Sequence, residues 1–239
     1  MSGSVVWLPG WSFNGGTFRA LAAELGWHPP RAEDALPGHG GGAEVAGPGL
    51  EGMVQPLMAN APDDALWVTN SLGATVALAA AEAGKPMRAL VLIGATPRFT
   101  LGDGWSWGVP VEELAAMQEG LARSVAATVR RFRRRLGRVS TADARAAADP
   151  VTATPRGLEV GLQALAEGDL RYPRCTGRPR TLWIGGEQDP LVPPEAVRSG
   201  AHTWGGQVCQ LPEGGHLVHA THPEMVAHWI DQFLEGSGS

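Results

Sequence analysis

The sequence predicts an α/β fold in which a mostly parallel sheet of about six strands is flanked by helices and carries a helical cap insertion. Three observations favour this class. Short apolar runs alternate with helical patterns at both ends of the chain. Residues 89–93 are apolar throughout, which is typical of a parallel strand buried on both faces. Residues 97–172 show helical patterns without a convincing strand, and this stretch is too long for a simple connection.

Each predicted element has a local signal in the sequence. Strands are expected where short apolar or β-branched runs end at turn residues, at 5–8, 66–69, 89–93, 181–184 and 207–211. Helices are expected where apolar residues recur at helical spacing, at 17–25, 50–59, 72–83, 194–199 and in a last helix that begins at residues 221–223. We therefore assign residues 4–96 and 173–235 to the core, 97–172 to the cap and 236–239 to a linker remnant.

Composition and charge exclude several classes of protein. The 239 residues are 44% hydrophobic and 18% charged, with a formal net charge of −5, as in a globular protein and unlike a general nucleic-acid binder. No apolar run approaches the ~20 residues that a membrane span needs, and we see no signal peptide. The two cysteines have no metal-binding spacing. We therefore expect a cytoplasmic protein that contacts neither membrane nor nucleic acid.

Ser71 is the candidate nucleophile because it stands where a predicted strand runs directly into a predicted helix. Such a joint presents a side chain at the carboxyl end of the sheet, beside free N–H groups of a helix N-terminus. The usual form is G-x-S-x-G, and here the frame is "TNSLG". Thr69 replaces the first glycine, and we expect its branched Cβ to crowd the contact between strand and helix. Taken alone, the frame also fits an ordinary buried or capping serine.

The partners that a nucleophilic serine needs follow in the expected order, acid and then base. Asp189 follows the strand at 181–184, and His216 lies in a glycine-rich loop before the last helix. Glu187 is a weaker alternative acid. A turn-forming aspartate and a surface histidine are the structural alternatives, but the three positions together are far more specific than any one of them.

Two backbone amides are predicted to form an oxyanion hole. The N–H of Leu72 directly follows the nucleophile, and the N–H of Trp11 lies in the loop after the first strand. Each such donor contributes roughly 3 kcal/mol to transition-state stabilisation. We expect no cofactor and no metal, because the regular spacing of His216, His219 and His222 lacks a paired-histidine helix motif and a nearby acidic ligand.

These residues resemble the α/β-hydrolase superfamily and, more narrowly, the pimeloyl-[acyl-carrier protein] methyl ester esterases of biotin synthesis. Those enzymes have "LHGWG" and "GWSLGG" where this chain has "LPGWS" and "TNSLGA". Similar motifs occur at 125–132, 157–171 and 186–193 and from His216 onward, so the resemblance includes the cap. It implies that Ser71 is the nucleophile, Asp189 the orienting acid and His216 the base, and that an acyl-carrier protein presents a methyl ester.

An acidic carrier protein agrees with the charge of one cap segment. No acidic residue lies between Glu119 and Asp143, whereas arginines are frequent there. The candidate carrier-binding residues are Arg130, Arg131, Arg134 and Arg135; Arg123, Arg133 and Arg138 add to the same segment. A solvated helix face is the ordinary explanation of such a run, but the local reversal of charge favours an anionic partner.

Two classes of function remain open from the sequence. The first is a serine esterase, with a promiscuous short-chain carboxylesterase and a menaquinone-pathway relative as alternatives that use the same residues. The second is a non-catalytic binding module of the same fold. An ester-hydrolysis assay with a Ser71→Ala control distinguishes the two classes.

Overall fold

Strands and helices alternate in the computed structural model, which describes residues 3–31, 33–136 and 153–236. The strands of these residues are β1 (Val5–Leu8), β2 (Ala65–Asn70), β3 (Met87–Ile93), β4 (Arg180–Gly186) and β5 (Gln207–Leu211). A 3-10 helix (Gly15–Phe18) follows β1. The α-helices are α1 (Arg19–Glu24), α2 (Gly49–Asn60), α3 (Leu72–Glu82), α4 (Val111–Arg123), α5 (Val125–Arg135), α6 (Pro155–Glu167), α7 (Pro194–Trp204), α8 (Val218–Thr221) and α9 (Pro223–Glu235).

The strands form one parallel sheet whose order across the sheet is the order in the chain. Right-handed crossovers between successive parallel neighbours place the connecting helices on one face. That face holds α2, α3, α6 and α7, packed around inward side chains such as Trp67 and Trp183. The next residues along the same strands, Val68 and Ile184, face α1, α8 and α9 on the other side.

The sheet has five strands in the described residues, where about six were expected. No extended strand forms in the described part of the connection between α1 and α2. That connection contains Pro29 and Pro30, which have no backbone N–H to donate to a neighbouring strand. The fold class is as predicted, an α/β sheet whose central strands β2, β3 and β4 are largely buried between helices.

Three helices of the described residues lie in the predicted cap, namely α4, α5 and α6. The hydroxyl of Ser124 caps α5 by accepting from the Ala127 N–H at 3.3 Å. The hydroxyl of Thr154 caps α6 by accepting from the Gly157 N–H at 2.9 Å. Arg138 and the other residues of 137–152 lie outside the described residues, and the division into core and cap stays a prediction.

The topology decides where candidate functional side chains meet. Parallel strands have their carboxyl ends at the same edge of a sheet, and loops at that edge are the usual place for ligands in open α/β folds. Trp11 follows β1, Ser71 follows β2, Asp189 follows β4 and His216 follows β5. The four residues therefore leave the sheet at the same edge.

Candidate active site

Ser71 occupies a sharp bend between β2 and α3. Its φ of 53° and ψ of −119° lie in a region that residues other than glycine rarely adopt. The following turn needs a glycine, since a Cβ at Gly73 would lie 2.2 Å from the carbonyl oxygen of Leu8. The bend thus brings the N-terminus of α3 directly against the end of β1 and leaves the Ser71 side chain partly accessible.

Thr69 fits at the position where the usual motif has its first glycine. Its side chain is fully buried, and its hydroxyl donates to the carbonyl oxygen of Val91 in β3 at 2.8 Å. The close approach between strand and helix occurs at Gly73, not at Thr69. The threonine therefore fills the core with its methyl group and satisfies its hydroxyl within the sheet.

Asp189 and His216 are brought into direct contact by the loops after β4 and β5. The Nδ1 of His216 lies 2.7 Å from Oδ2 of Asp189, and the two side chains are 1% and 0% exposed. The other oxygen, Oδ1, accepts from the backbone N–H groups of Leu191 at 2.8 Å and Val192 at 3.1 Å. Glu187, the alternative acid, is exposed. The structure thus brings Asp189 to the imidazole.

Asn70 connects the serine bend to the histidine loop. Its side-chain amide donates to the carbonyl oxygens of Ile93, at 3.0 Å, and of His216, at 3.3 Å. Gly94 makes room for this contact, because a Cβ there would lie 3.0 Å from the His216 carbonyl oxygen and 3.3 Å from Asn70 Nδ2. Asn70 was not among the predicted site residues; a polar amide directly before Ser71, at the end of a buried strand, is the signal that could have identified it.

One ring nitrogen of His216 remains available for proton transfer. Its Nε2 is buried and has no hydrogen-bond partner among the described residues. Because Asp189 holds the opposite nitrogen, the ring is fixed with Nε2 as the atom able to accept a proton. The assignment of the proton to Nδ1 follows from the acidic partner.

The two predicted oxyanion donors flank the serine bend in the structure. Leu72 is the first residue of α3, where a backbone N–H has no acceptor within the helix. Trp11 is buried in the loop after β1. Within the described ranges, none of the backbone hydrogen bonds outside helices and strands uses the N–H of either residue as donor.

Ser71 lies at an apolar pocket between the sheet edge and the helices α4, α5 and α6. The lining residues are Trp11, Ser71, Phe99, Val109, Glu113, Leu114, Met117, Phe132, Arg135, Leu162, Leu165 and Leu191. A second groove lies between α4 and α5 and is lined by Glu113, Ala116, Met117, Gly120, Thr128, Arg131, Phe132 and Arg135. The two cavities share Glu113, Met117, Phe132 and Arg135. An ion pair between Glu113 and Arg135 therefore stands between the pocket and the outer groove.

The arginines of α5 differ in exposure. Arg130, Arg131, Arg134 and Arg135 are all exposed on α5. Arg133 instead is partly buried and donates to Ser12 in the loop after β1. Sequence spacing did not separate this arginine from its neighbours.

The remaining histidines do not complete a metal site. Burial, and to a lesser degree the nearby His216, lowers the pKa of His219 to about 3. The His219 ring lies 4.7 Å from the ring of Phe18. Within the described ranges no group of three metal-ligating side chains is found. A search of the same ranges finds no helix long and apolar enough to cross a membrane.

Comparisons with known proteins place the chain among its relatives. Residues 5–229 match the model of the alpha/beta hydrolase family. A pimeloyl-[acyl-carrier protein] methyl ester esterase of Xanthomonas campestris is 34% identical, over 97% of this chain and 94% of the relative. The protein of the same name in Stenotrophomonas maltophilia is 33% identical, over 97% and 93%.

Solved structures support the fold alone. An esterase from Exiguobacterium antarcticum has a TM-score of 0.81 at 21% identity, covering 98% of this chain and 93% of that chain. A bromoperoxidase from Bacillus anthracis has a TM-score of 0.80 at 18% identity, covering 98% and 92%. The more similar curated relatives support an esterase. The chain belongs to the alpha/beta hydrolase family.

Proposed function

We propose that this protein is a serine carboxylesterase whose nucleophile is Ser71. The observation that carries the proposal is the buried contact of 2.7 Å between His216 and Asp189, held beside the strained bend at Ser71 by Asn70. A carboxylate, an imidazole and a serine at a strand-to-helix bend are the parts that acyl transfer through a serine requires.

In the proposed first step, the Ser71 hydroxyl oxygen attacks the ester carbonyl carbon while His216 Nε2 takes the hydroxyl proton. Asp189 stabilises the resulting imidazolium through the other ring nitrogen. The N–H groups of Trp11 and Leu72 stabilise the negative charge on the carbonyl oxygen. The bond between carbon and alkoxy oxygen then breaks, and His216 returns the proton to the leaving alcohol.

In the second step, water hydrolyses the acyl-enzyme. His216 removes a proton from the water as it attacks the acyl carbon, and the same imidazole then protonates Ser71 as the carboxylic acid leaves. The apolar lining of the pocket limits bulk water around the reacting groups, which strengthens the hydrogen bonds to the oxyanion.

As substrate we propose the methyl ester of an acyl chain attached to an acyl-carrier protein, as the names of the relatives suggest. The inner pocket adjoins a groove that opens between α4 and α5, beside Arg131 and Arg135. A chain whose ester reaches Ser71 can leave through this groove toward a partner on the arginine face. The cationic side chains suit an acidic carrier, and the apolar pocket suits an alkyl chain.

The nucleophile is tested by fluorophosphonate labelling followed by peptide mapping. We expect the label on Ser71, and we expect Ser71→Ala to abolish both labelling and hydrolysis of p-nitrophenyl butyrate. A label on another residue, or full activity of Ser71→Ala, would refute the mechanism. Absence of labelling and of turnover in the unaltered protein would favour a non-catalytic binding module.

The carrier is tested by reversing charge on the exposed face of α5. Replacement of Arg131 and Arg134 by Glu should lower kcat/KM for the carrier-bound methyl ester by about tenfold or more, and for the free methyl ester by less than about twofold. Arg156→Glu, on an exposed part of α6, is the matched control. Equal losses for the two substrates would remove the arginine face as a docking site and favour a short-chain carboxylesterase.

A further inference from the structure

Arg133 faces the loop after β1, unlike the exposed arginines that flank it on α5. Its Nε donates to the hydroxyl oxygen of Ser12 at 3.2 Å, and its Nη2 donates to the Ser12 carbonyl oxygen. The guanidinium carbon lies 4.9 Å from the ring centre of Phe13. A single cap residue thus contacts two consecutive residues of the loop that contains Trp11, through both polar and cation–π interactions.

The loop that Arg133 holds has a strained conformation. Ser12 has a φ of 70°, a left-handed conformation that is unfavourable for a residue other than glycine. The side chain is 1% exposed, so water does not compete for its hydrogen bonds. A tight turn, closed by the Phe13 N–H on the Gly10 carbonyl oxygen at 3.1 Å, includes Trp11 and Ser12. The orientation of the Trp11 peptide therefore depends on the contacts that keep Ser12 in place.

Two further cap contacts reach the same loop. The ring of Phe132 meets the Trp11 indole edge-on, with ring centres 5.0 Å apart. The indole Nε1 donates to the Leu158 carbonyl oxygen in α6 at 2.8 Å. Contacts from α5 and α6 thus fix the side chain of Trp11, while Arg133 fixes the backbone immediately after it.

We propose that Arg133 is a positioning residue for the oxyanion hole, which makes helix α5 of the cap a structural part of the catalytic machinery. This inference rests on the proposed function, in which the N–H of Trp11 is one of the two oxyanion donors. Arg133 does not touch the substrate in this proposal; it holds the strained Ser12 turn so that the preceding N–H points at the developing charge. A donor that is misdirected stabilises the transition state less and leaves ground-state binding unchanged.

The test compares Arg133→Met with Arg156→Met, an exposed arginine on α6 that makes no contact with this loop in the described ranges. We expect Arg133→Met to lower kcat for p-nitrophenyl butyrate by about tenfold, with KM within about twofold. The inhibition constant of a trifluoromethyl ketone, which forms a tetrahedral adduct with an oxyanion, should rise by a similar factor. Arg156→Met should leave these quantities unchanged.

Conservative variants separate positioning from folding. Arg133→Lys keeps the charge but cannot bridge both Ser12 oxygens, so we expect an intermediate kcat. Ser12→Ala combined with Arg133→Met should lower kcat by less than the product of the two single effects, because the residues act through one contact. Thermal unfolding of each variant gives the fraction folded at the assay temperature.

Several results would overturn the inference. If the unaltered protein is active and Arg133→Met changes the unfolding temperature but neither kcat nor the inhibition constant, Arg133 has a structural role only. A rise in KM with unchanged kcat would assign Arg133 to substrate binding instead. An unaltered protein without esterase activity or serine labelling would remove the proposed function itself, which is a distinct outcome.

Discussion

Replacing Asp189 by Asn isolates the contribution of one buried contact to the proposed mechanism. The Asn side chain has the same shape, so its oxygen can still accept from the N–H groups of Leu191 and Val192 and preserve the loop. Its NH₂ group would face His216 Nδ1, 2.7 Å away in the unaltered protein. That nitrogen would then have to act as acceptor, which places the ring proton on Nε2, where it blocks proton transfer from Ser71.

The expected loss is large because both partners are buried. A wrong tautomer and a missing counter-charge together lower kcat by about 10³–10⁴-fold in a triad of this type, equivalent to about 4–5 kcal/mol in the barrier. Steady-state hydrolysis of p-nitrophenyl butyrate gives kcat, and urea unfolding checks that the fold is retained. Glu187→Gln is the matched control, since Glu187 is exposed, and should change kcat by less than about twofold. A Glu187→Gln loss larger than that of Asp189→Asn, or more than about a tenth of kcat remaining in a folded Asp189→Asn variant, would refute this reasoning.

Three other predictions concern stability and substrate range. The pKa of His219 is about 3 in the folded protein against 6.5 for the unfolded reference, so the unfolded chain binds an extra proton between these values and stability falls as pH decreases through that window. We expect this protonation to lower the free energy of unfolding by about 2 kcal/mol between pH 7 and pH 5. His219→Phe should reduce the pH dependence measured by urea unfolding by that amount, and an unchanged dependence would contradict the assignment. Lys85 is buried and donates to the Met58 and Ala61 carbonyl oxygens at 3.3 and 2.6 Å, so Lys85→Met should lower the free energy of unfolding by about 2–4 kcal/mol. A change below about 0.5 kcal/mol in a urea titration would show that these acceptors are otherwise satisfied. Arg135→Ala should remove the ion pair between pocket and groove and raise the ratio of kcat/KM for decanoate over acetate p-nitrophenyl esters by about threefold or more, whereas an unchanged ratio would place the acyl chain elsewhere.

The central strands were predictable because parallel strands buried on both faces need contiguous apolar residues, and the predicted strand at residues 89–93 lies within β3. The predicted strand at 207–211 coincides with β5, an edge strand whose residues are exposed or half-buried. Helix ends were harder to predict. We expected the helix that starts at Pro194 to stop at residue 199, but α7 continues to Trp204 because Gly200 is a packing residue whose missing side chain admits the ring of Trp183. The first helix begins as a 3-10 turn, at Gly15, for which the apolar spacing gives no signal.

The candidate site was predictable in its parts but not in its contacts. The order of Ser71, Asp189 and His216 along the chain, each after a predicted strand, identifies loops at one edge of a sheet. Asp189 was preferred to Glu187 on sequence grounds, but establishing its contact with His216 required the loop conformation. The link through Asn70 also required it, since its two acceptors are distant in sequence.

The sequence by itself determined the fold class and the edge at which the candidate catalytic groups emerge, because these follow from local periodicity and from the parallel pairing of strands that alternate with helices. Tertiary structure alone decided the directions of individual side chains. Arg133 and Arg134 are neighbours of the same type, yet one holds the Ser12 turn and the other faces solvent. The physical reason is that the contacts of a helical side chain depend on what packs against its side of the helix. Here the loop after β1, distant in sequence, supplies the Ser12 oxygens that accept from Arg133.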